Sequence, residues 1–596
     1  MNFRMHQMAV FILSAALIVN ISLFFAPLSY AEDEKPFYPE AIAGGRILSG
    51  GEMDPDSFSR FYIVTENGQN ADPADIETAE IISDMLAEDG VLSGKRLSVV
   101  SGKEKQALPG DIVLIKSPNG NPQAYKIEVT DRAVVSSSGS DGLYYGMLSL
   151  MEILVQTQGK KLQKFYIEDE PDTEERAVFL DCGRKYFSSE WIKAFIRRSS
   201  FQRYNTLILH FSEAEGLRLD SEIFPWLTEN IESLSRTEMA DIVNYAGRYH
   251  MKIVPSFDTP GHNQFIVSKY REHIYTDPDF SFEYAGRTYG PESEGFGSIA
   301  NYYSHNGYMV ESDYVGIDIT NSYAVAFMDA LIDDYAAFFR DLGCKDFDIG
   351  GDEVIGYASF YLGGELMTHE NRWSVVEHWA EYARNVMKIP CGSANDTFIF
   401  YLNHVASRLM RMGYDCRVFN DEIDLKAEQN LRLRRPVGIA YWNANARSAK
   451  HYTEDGYRLY NCVSKWCYYA VGTAGGRDLM YGKYSTVNSR NIYENWDPAS
   501  YSSREYKYRP IPDDKRAGAY FCIWCDNPDY KSDEIIWSET ELLTWANATK
   551  MWNISLGNSI PEDNPDPYKK PFSYSYEDLE DFVRMINESG LVEGIS

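Results

Sequence analysis

The segment Asp346-Phe-Asp-Ile-Gly-Gly-Asp-Glu353 places two adjacent carboxylates directly after an apolar run and two glycines. Two carboxylates in one pocket can divide acid and base work, because the surroundings of each set its protonation. On a regular strand, neighbouring residues point to opposite faces. Asp352 and Glu353 can therefore reach one substrate only if the chain turns at the strand end, which Gly350-Gly351 permits. Taken alone, the pair also fits a solvated acidic loop tip. The other chemistry-bearing residues argue against that by where they fall. They are Asp181-Cys-Gly-Arg184, His210-Phe-Ser-Glu213, Asp258-Thr-Pro-Gly-His262, Asn420-Asp-Glu422, Trp442-Asn443 and Trp524-Cys-Asp526. Each group stands at the end of a short apolar run.

Those runs are 177–182, 206–211, 252–258, 346–351, 416–420, 438–442, 458–463 and 518–524. Longer helical stretches, such as 189–201, 237–249 and 323–342, fall between them. Alternating apolar strands and helices predict a parallel sheet wrapped by helices, and eight repeats predict a (β/α)8 barrel. No Gly-rich phosphate loop follows the first run, so a doubly wound open sheet lacks its usual signal. In such a barrel, catalytic residues gather at the C-terminal ends of the strands. Acids, histidines and tryptophans crowd those ends here, and Trp beside paired carboxylates is equipment for glycoside hydrolysis.

Ahead of the barrel, residues 32–172 read as a small α+β domain. Strand-like stretches lie at 61–65, 111–116 and 124–129, and helical ones at 75–88 and 143–158. An acidic, Pro-containing link at 168–173 separates the two domains. Residues 1–31 read as a signal peptide: Arg4, an apolar run, then Ser29-Tyr30-Ala31 before a charged start. That implies an exported, secreted or cell-surface protein, the alternative being an uncleaved membrane anchor. The barrel is expected over 173–560 and a helical extension over 561–596.

The chain has 596 residues, with 57 Lys+Arg against 88 Asp+Glu, a net charge of −31. Such a surface repels phosphate backbones and anionic membranes, which argues against a nucleic-acid partner and against any membrane contact beyond the leader. All 8 cysteines lie after residue 180, too few for a disulfide scaffold in this length. Cys522-x-x-Cys525 falls within an apolar run with no second CxxC and no nearby His, which argues against zinc. No metal and no organic cofactor is expected.

Beyond this, the sequence resembles glycoside hydrolase family 20, the β-N-acetylhexosaminidases and lacto-N-biosidases. The resemblance rests on Gly350-Gly-Asp-Glu353, on Arg176–Phe187 and Tyr204–Glu213 around the first two runs, and on Pro255-Ser-Phe-Asp-Thr-Pro-Gly-His262. Gly142-Leu-Tyr-Tyr-Gly-Met-Leu-Ser-Leu150 resembles the end of the domain that precedes the family's barrel.

This implies substrate-assisted retention, in which the 2-acetamido oxygen of the substrate attacks the anomeric carbon. By motif position Glu353 would be the acid and Asp352 the anion that orients the acetamido group. Arg176 would donate to sugar hydroxyls, the alternative being a surface arginine at the strand edge. His262 would link Glu213 to Glu353, or cap the turn after Pro260-Gly261. His210 would orient the same groups or be a buried strand histidine. Asp258 would support the site or form a turn. Trp442, Trp466 and Trp524 would wall the sugar pocket. Tyr468, with Tyr469 and Tyr460 as rivals, would meet the acetamido oxygen, and Asp526 would accept from a 4- or 6-hydroxyl.

Three positions depart from the family: Glu213 stands for its Asp, Leu217 for a Trp and Ser256 for a Glu. The implied substrate is a glycan ending in β-linked N-acetylhexosamine, or in lacto-N-biose if the loop 270–313 builds a further subsite. A binding protein that lost catalysis, and a metal-dependent hydrolase using Asp348, Asp352 and Glu353, are the readings from other classes.

Overall fold

In a computed structural model, the described residues are 46–553 and 574–591, apart from 66–68, 89–90, 158–159, 292–296, 306–307, 355–359, 363–364, 368–372, 374–375, 424–428, 445–446, 472–486 and 502–510. The leader expected at 1–31 lies outside them. So do residues 554–573, before the C-terminal helix Tyr576–Ser589. Among the described residues, no helix is long and apolar enough to cross a membrane.

The barrel follows from strands that read as unbroken apolar runs. Glu175–Asp181 and Thr206–Ser212 are buried at every residue, as strands covered on both faces must be. The eight, in order, are Glu175–Asp181, Thr206–Ser212, Lys252–Phe257, Asp346–Asp348, Asp415–Phe419, Gly438–Tyr441, Leu459–Asn461 and Arg516–Trp524. Each pairs in parallel with the next, and the eighth pairs with both the seventh and the first, which closes the barrel. A short extra strand, Tyr468–Ala470, adds to the C-terminal half of the eighth.

Helices between the strands start where the sequence supplies a cap. Ser188 accepts from Trp191 N–H ahead of Ser189–Phe201, and Ser235 with Glu238 forms a capping box ahead of Arg236–Arg248. Asn321 caps Ser322–Asp341. The lower end of the barrel is closed by a balanced ion network. Arg417 bonds Glu175 at 2.6 Å and Asp346 at 2.8 Å, and Lys252 bonds the same two carboxylates at 2.8 Å.

The small domain is a seven-stranded mixed sheet, ordered Arg46–Met53, Leu162–Asp169, Tyr125–Val129, Ala133–Ser137, Asp111–Lys116, Arg60–Val64, Ser98–Gly102. Its helix Ser140–Thr157 is buried along most of its length because it packs on both the sheet and the barrel. Arg203 donates to Glu152 at 2.9 Å and to Ser149 at 2.8 Å, and Tyr144 stacks on His250 at 4.6 Å. The sheet ends at Asp169 and the barrel opens at Glu175.

The stretch expected as a loop from 270 to 313 has structure of its own. Helix Gln264–Thr276 leads into two hairpins, Phe282–Tyr284 with Arg287–Tyr289 and Gly297–His305 with Tyr308–Ile317.

Candidate active site

The fourth strand stops after Asp348, and the chain turns out through Gly350 and Gly351 at φ +70° and +80°. The turn is shaped around a neighbouring carboxylate. Gly351 N–H donates to Asp258 Oδ1 at 2.8 Å, and a Cβ on Gly350 would lie 2.3 Å from that same oxygen. Only glycine fits both the dihedral and the approach. Beyond it, Glu353 takes φ +47°, unusual for a residue with a side chain, and Asp421 Oδ2 accepts its N–H at 3.0 Å. Gly350→Ala is expected to cost about 2–4 kcal/mol, since Asp258 must move and the left-handed conformation is strained. Thermal unfolding measures it, and an unchanged melting temperature would refute the close fit.

Behind the pair lies a hydrogen-bonded cluster from strands one to three. His262 Nδ1 bonds Glu213 Oε2 at 2.9 Å, Arg184 Nη2 bonds Glu213 Oε1 at 2.7 Å, and Arg184 Nη1 donates to Asp181 Oδ2 at 2.9 Å. His210 bonds Ser256 Oγ at 2.9 Å through Nδ1, with Nε2 3.4 Å from Glu213. Burial opposes the Glu213 charge, but Arg184 and His262 outweigh it and hold the carboxyl well below its usual range. Burial likewise opposes a charged His262, yet Glu213 outweighs it and raises the imidazole well above its usual value. The two form an ion pair at neutral pH. His262 Nε2 has no hydrogen-bond partner, and one ring nitrogen of His262 lies with carboxylate oxygens of Asp258 and Asp352 in a group all within 4.8 Å of one another. The link from Glu213 to His262 is therefore present, and the Asp352 charge acts on the same ring.

Both acids of the pair are half-buried. Burial pushes Glu353 up to about 7, with Asp421 and Asp526 adding to the rise and His262 and Arg184 opposing it. Burial also lifts Asp352 well above its usual range, reinforced by Asp258, Asp421 and Glu353.

Linked to the pair through Asp421, aromatic rings form a wall. Trp442 stacks on Tyr468 with 13° between planes and centroids 6.0 Å apart, and Tyr468 meets Trp524 at 5.7 Å. Trp524 leans on Phe179 at 4.6 Å, and the Arg184 guanidinium lies 5.5 Å from its ring centre. Trp442 Nε1 donates to Asp421 Oδ1 at 3.1 Å, so one carboxylate fixes both the wall and the Glu353 backbone. Trp466 is buried on the one-turn helix Ser464–Cys467 just before Tyr468. The rival tyrosines face elsewhere. Tyr469 donates to Glu539 on an outer helix, and Tyr460 covers Arg417 at the lower end of the barrel. Asp526 is half-buried and close enough to raise the pKa of both Arg184 and Glu353.

Arg176 is not part of this cluster. It is the second residue of its strand, so it lies at the lower end of the barrel, away from Asp352. There it is fully buried, donating to Arg203 O and Gln123 Oε1 at 2.7 Å, with its guanidinium 4.9 Å from the Trp552 ring centre. The strand-one cation beside the acids is Arg184, three residues past the strand end. Asp421 was also absent from the expected set. Both residues stand in the strand-end groups Asp181-Cys-Gly-Arg184 and Asn420-Asp-Glu422, so position along the strand was the available signal.

Among the described residues, two groups bring possible metal-binding atoms together: His210, Glu213 and Asp258, and Asp258, His262 and Asp352. In each, some carboxylate oxygens already accept from N–H donors, although Asp352 Oδ1 in the second has no hydrogen-bond partner. Arg184, His262 and Ala214 take those of Glu213, and Gly351 takes Asp258 Oδ1. Cys522 and Cys525 are buried, and burial raises both thiols, leaving them poor nucleophiles.

Residues 174–552 match the family model for "Glycosyl hydrolase family 20, catalytic domain", and residues 71–170 match that for "Glycosyl hydrolase family 20, domain 2". A lacto-N-biosidase of Bifidobacterium bifidum is 22% identical over 481 residues, covering 79% of this chain and 36% of its own length. A beta-hexosaminidase of Vibrio furnissii is 24% identical over 195 residues, 29% of this chain and 32% of its own. The chain thus spans about a third of the length of these curated relatives. Among solved structures, a beta-N-acetylhexosaminidase from Bacteroides fragilis superposes with a TM-score of 0.63 at 17% identity, covering 92% of this chain and 95% of that one. An exo beta-N-acetylglucosaminidase from Vibrio harveyi, in complex with N-acetylglucosamine, gives 0.64 at 15% identity, covering 95% and 79%. These superpositions show the shared fold.

Proposed function

Since the chain belongs to glycosyl hydrolase family 20, we propose that it removes a non-reducing terminal β-linked N-acetylhexosamine, with retention, through an oxazolinium intermediate. One observation carries this reading. The acids Asp352 and Glu353 follow a glycine turn at the end of strand four, and Asp421 ties the Glu353 N–H to Trp442, which stacks on Tyr468 beside Trp524. Flat apolar rings suit a sugar face, and a single adjacent pair suits a reaction whose nucleophile is the substrate itself.

Glu353, pushed up to about 7, keeps a large protonated fraction at neutral pH, and that form gives its proton to the leaving oxygen. It then takes a proton from the water that opens the oxazolinium. Asp352 accepts from the acetamido N–H, and the positive charge developing there offsets the burial and crowding that raise its pKa. Charged His262, fixed by Glu213, favours the Asp352 anion. In this reading the Tyr468 hydroxyl donates to the acetamido oxygen. Arg184 presents N–H groups to sugar hydroxyls beside Asp526. The leader makes export part of the proposal. A lacto-N-biose substrate is the second reading, favoured by the Bifidobacterium bifidum relative that covers most of the chain.

The test is turnover of aryl glycosides and oligosaccharides ending in GlcNAc, GalNAc or lacto-N-biose by folded protein. Turnover of none of them would defeat the proposal, and their ranking assigns the sugar.

Arg184→Ala and Arg176→Ala separate site from scaffold. The first should raise KM and also cost about 3–5 kcal/mol, because Glu213 and Asp181 lose their buried cation. The second should lower the melting temperature and leave KM within about twofold, since sugar contact is absent. A raised KM in a folded Arg176→Ala protein would reverse the assignment.

A further inference from the structure

Resting on the reading above, we propose that Asp421 is a positioning residue of the reaction, tying the ring that receives the sugar to the backbone of the acid that protonates the leaving oxygen. Its buried carboxylate is divided between them. Oδ2 accepts from Glu353 N–H at 3.0 Å, and Oδ1 accepts from Trp442 Nε1–H at 3.1 Å. Both partners are donors, so the position calls for two acceptor oxygens. A carboxylate supplies them. An asparagine amide has one, and would turn its own N–H groups towards the second donor.

The bracket is rigid because the segment carrying Asp421 is held by side chains from two outer helices. Strand five ends at Phe419. The Tyr452 hydroxyl, from helix Ala449–Glu454, lies 2.9 Å from both Asn420 O and Ile423 O. Asn395 Nδ2, from helix Ala394–Arg411, donates to Glu422 O at 3.0 Å. Asn420 reaches the next strand end: its Oδ1 accepts from Trp442 N–H at 2.9 Å, and its Nδ2 donates to Asn443 O at 3.0 Å. Asn420 therefore sets the backbone of Trp442, and Asp421 sets its ring. On the other side, Glu353 at φ +47° keeps a backbone conformation that persists only where its surroundings hold it, and Asp421 holds its N–H.

A sugar seated on Trp442 is thus located against the acid through two hydrogen bonds to one carboxylate. Misplacing reacting groups by about 1 Å costs about 10²-fold in rate. Asp421 also contributes charge. Around Glu353 it acts with Asp526 to favour the protonated form, against His262 and Arg184, with Asp352 adjacent in the chain. The two contributions are separable, because placement acts on the rate and charge acts on its pH dependence.

The test uses full-length Asp421→Asn and Trp442→Phe, singly and combined. Trp442→Phe keeps an aromatic face but has no N–H for Asp421. The substrates are an oligosaccharide ending in N-acetylhexosamine and 4-nitrophenyl N-acetyl-β-glucosaminide. Asp421→Asn should lower kcat on the oligosaccharide by about 10²-fold, and on the aryl glycoside by much less, since that leaving group needs no proton. Removing the negative charge lowers the Glu353 pKa, so the alkaline limb of kcat/KM should move down by about 1 pH unit. The double variant should lose less than the product of the two single losses, because both cut one link. Equal losses on both substrates with an unmoved alkaline limb would reduce Asp421 to a structural role, and single losses that multiply would show ring and acid to be held independently. If Asp421→Asn does not fold, Trp442→Phe decides: a kcat loss no greater on the oligosaccharide than on the aryl glycoside overturns the link. Absence of wild-type turnover on every N-acetylhexosaminide would instead remove the functional reading beneath it.

Discussion

Glu353→Gln lowers kcat/KM on an N-acetylhexosaminide oligosaccharide by about 10²–10⁴-fold, the usual worth of a positioned general acid. A 4-nitrophenyl glycoside loses far less in the first step, because its leaving group departs without a proton. The pH profile sharpens this. Burial, helped by Asp421 and Asp526, holds Glu353 at about 7. The acid form prevails below that value and is lost as pH rises through it, so wild-type kcat/KM on the oligosaccharide falls on the alkaline side of about pH 7. In the Gln variant that alkaline limb disappears, since the amide does not titrate. Initial rates across pH on both substrates check the claim. Equal loss on both substrates, or an alkaline limb that survives in the variant, would show that another group supplies the proton.

Asp352→Asn lowers kcat by about 10²–10³-fold on substrates with a 2-acetamido group, the scale of one lost charge-stabilising contact. The amide can still accept a hydrogen bond, but it cannot balance a positive oxazolinium. Stability should move the other way. Asp352 is crowded by Asp258, Asp421 and Glu353, and its Oδ1 has no hydrogen-bond partner. Removing its charge relieves that crowding, so the melting temperature should hold or rise. Loss of activity with a rise in stability is the signature of a strained functional group. A large fall in melting temperature would mean that Asp352 serves the fold first.

How much of this was legible beforehand depends on what each residue needed from its neighbours. The eight barrel strands stood out because both their faces are buried, which leaves runs that need no partner to be seen. Helix Ser189–Phe201 and strand Asp111–Lys116 have the bounds their sequences indicate. In the small domain, Ser98–Gly102 and Leu162–Asp169 were hidden, because exposed and half-exposed positions break their apolar pattern. Strand four was expected to run to Gly351 but ends at Asp348, because the Gly351 N–H is taken by Asp258 from another strand. Local sequence holds no trace of that bond. The acids themselves were legible from the glycines before them. Arg184 was misjudged in favour of Arg176 because motif position was preferred to position along the strand. Asp421 acts through two bonds made across strands, to Glu353 N–H and Trp442 Nε1, which only the folded barrel brings together.

The claim at the centre of this account is that the acetamido group of the substrate, oriented by Asp352, is the nucleophile. Its direct measure is kcat/KM across 4-nitrophenyl β-glucosaminides bearing N-acetyl, N-fluoroacetyl, N-difluoroacetyl and N-trifluoroacetyl groups. Each fluorine withdraws electrons from the amide oxygen while leaving the leaving group unchanged. The account predicts a steep, continuous fall along the series. A flat response, with the trifluoroacetyl compound cleaved as fast as the parent, would contradict it.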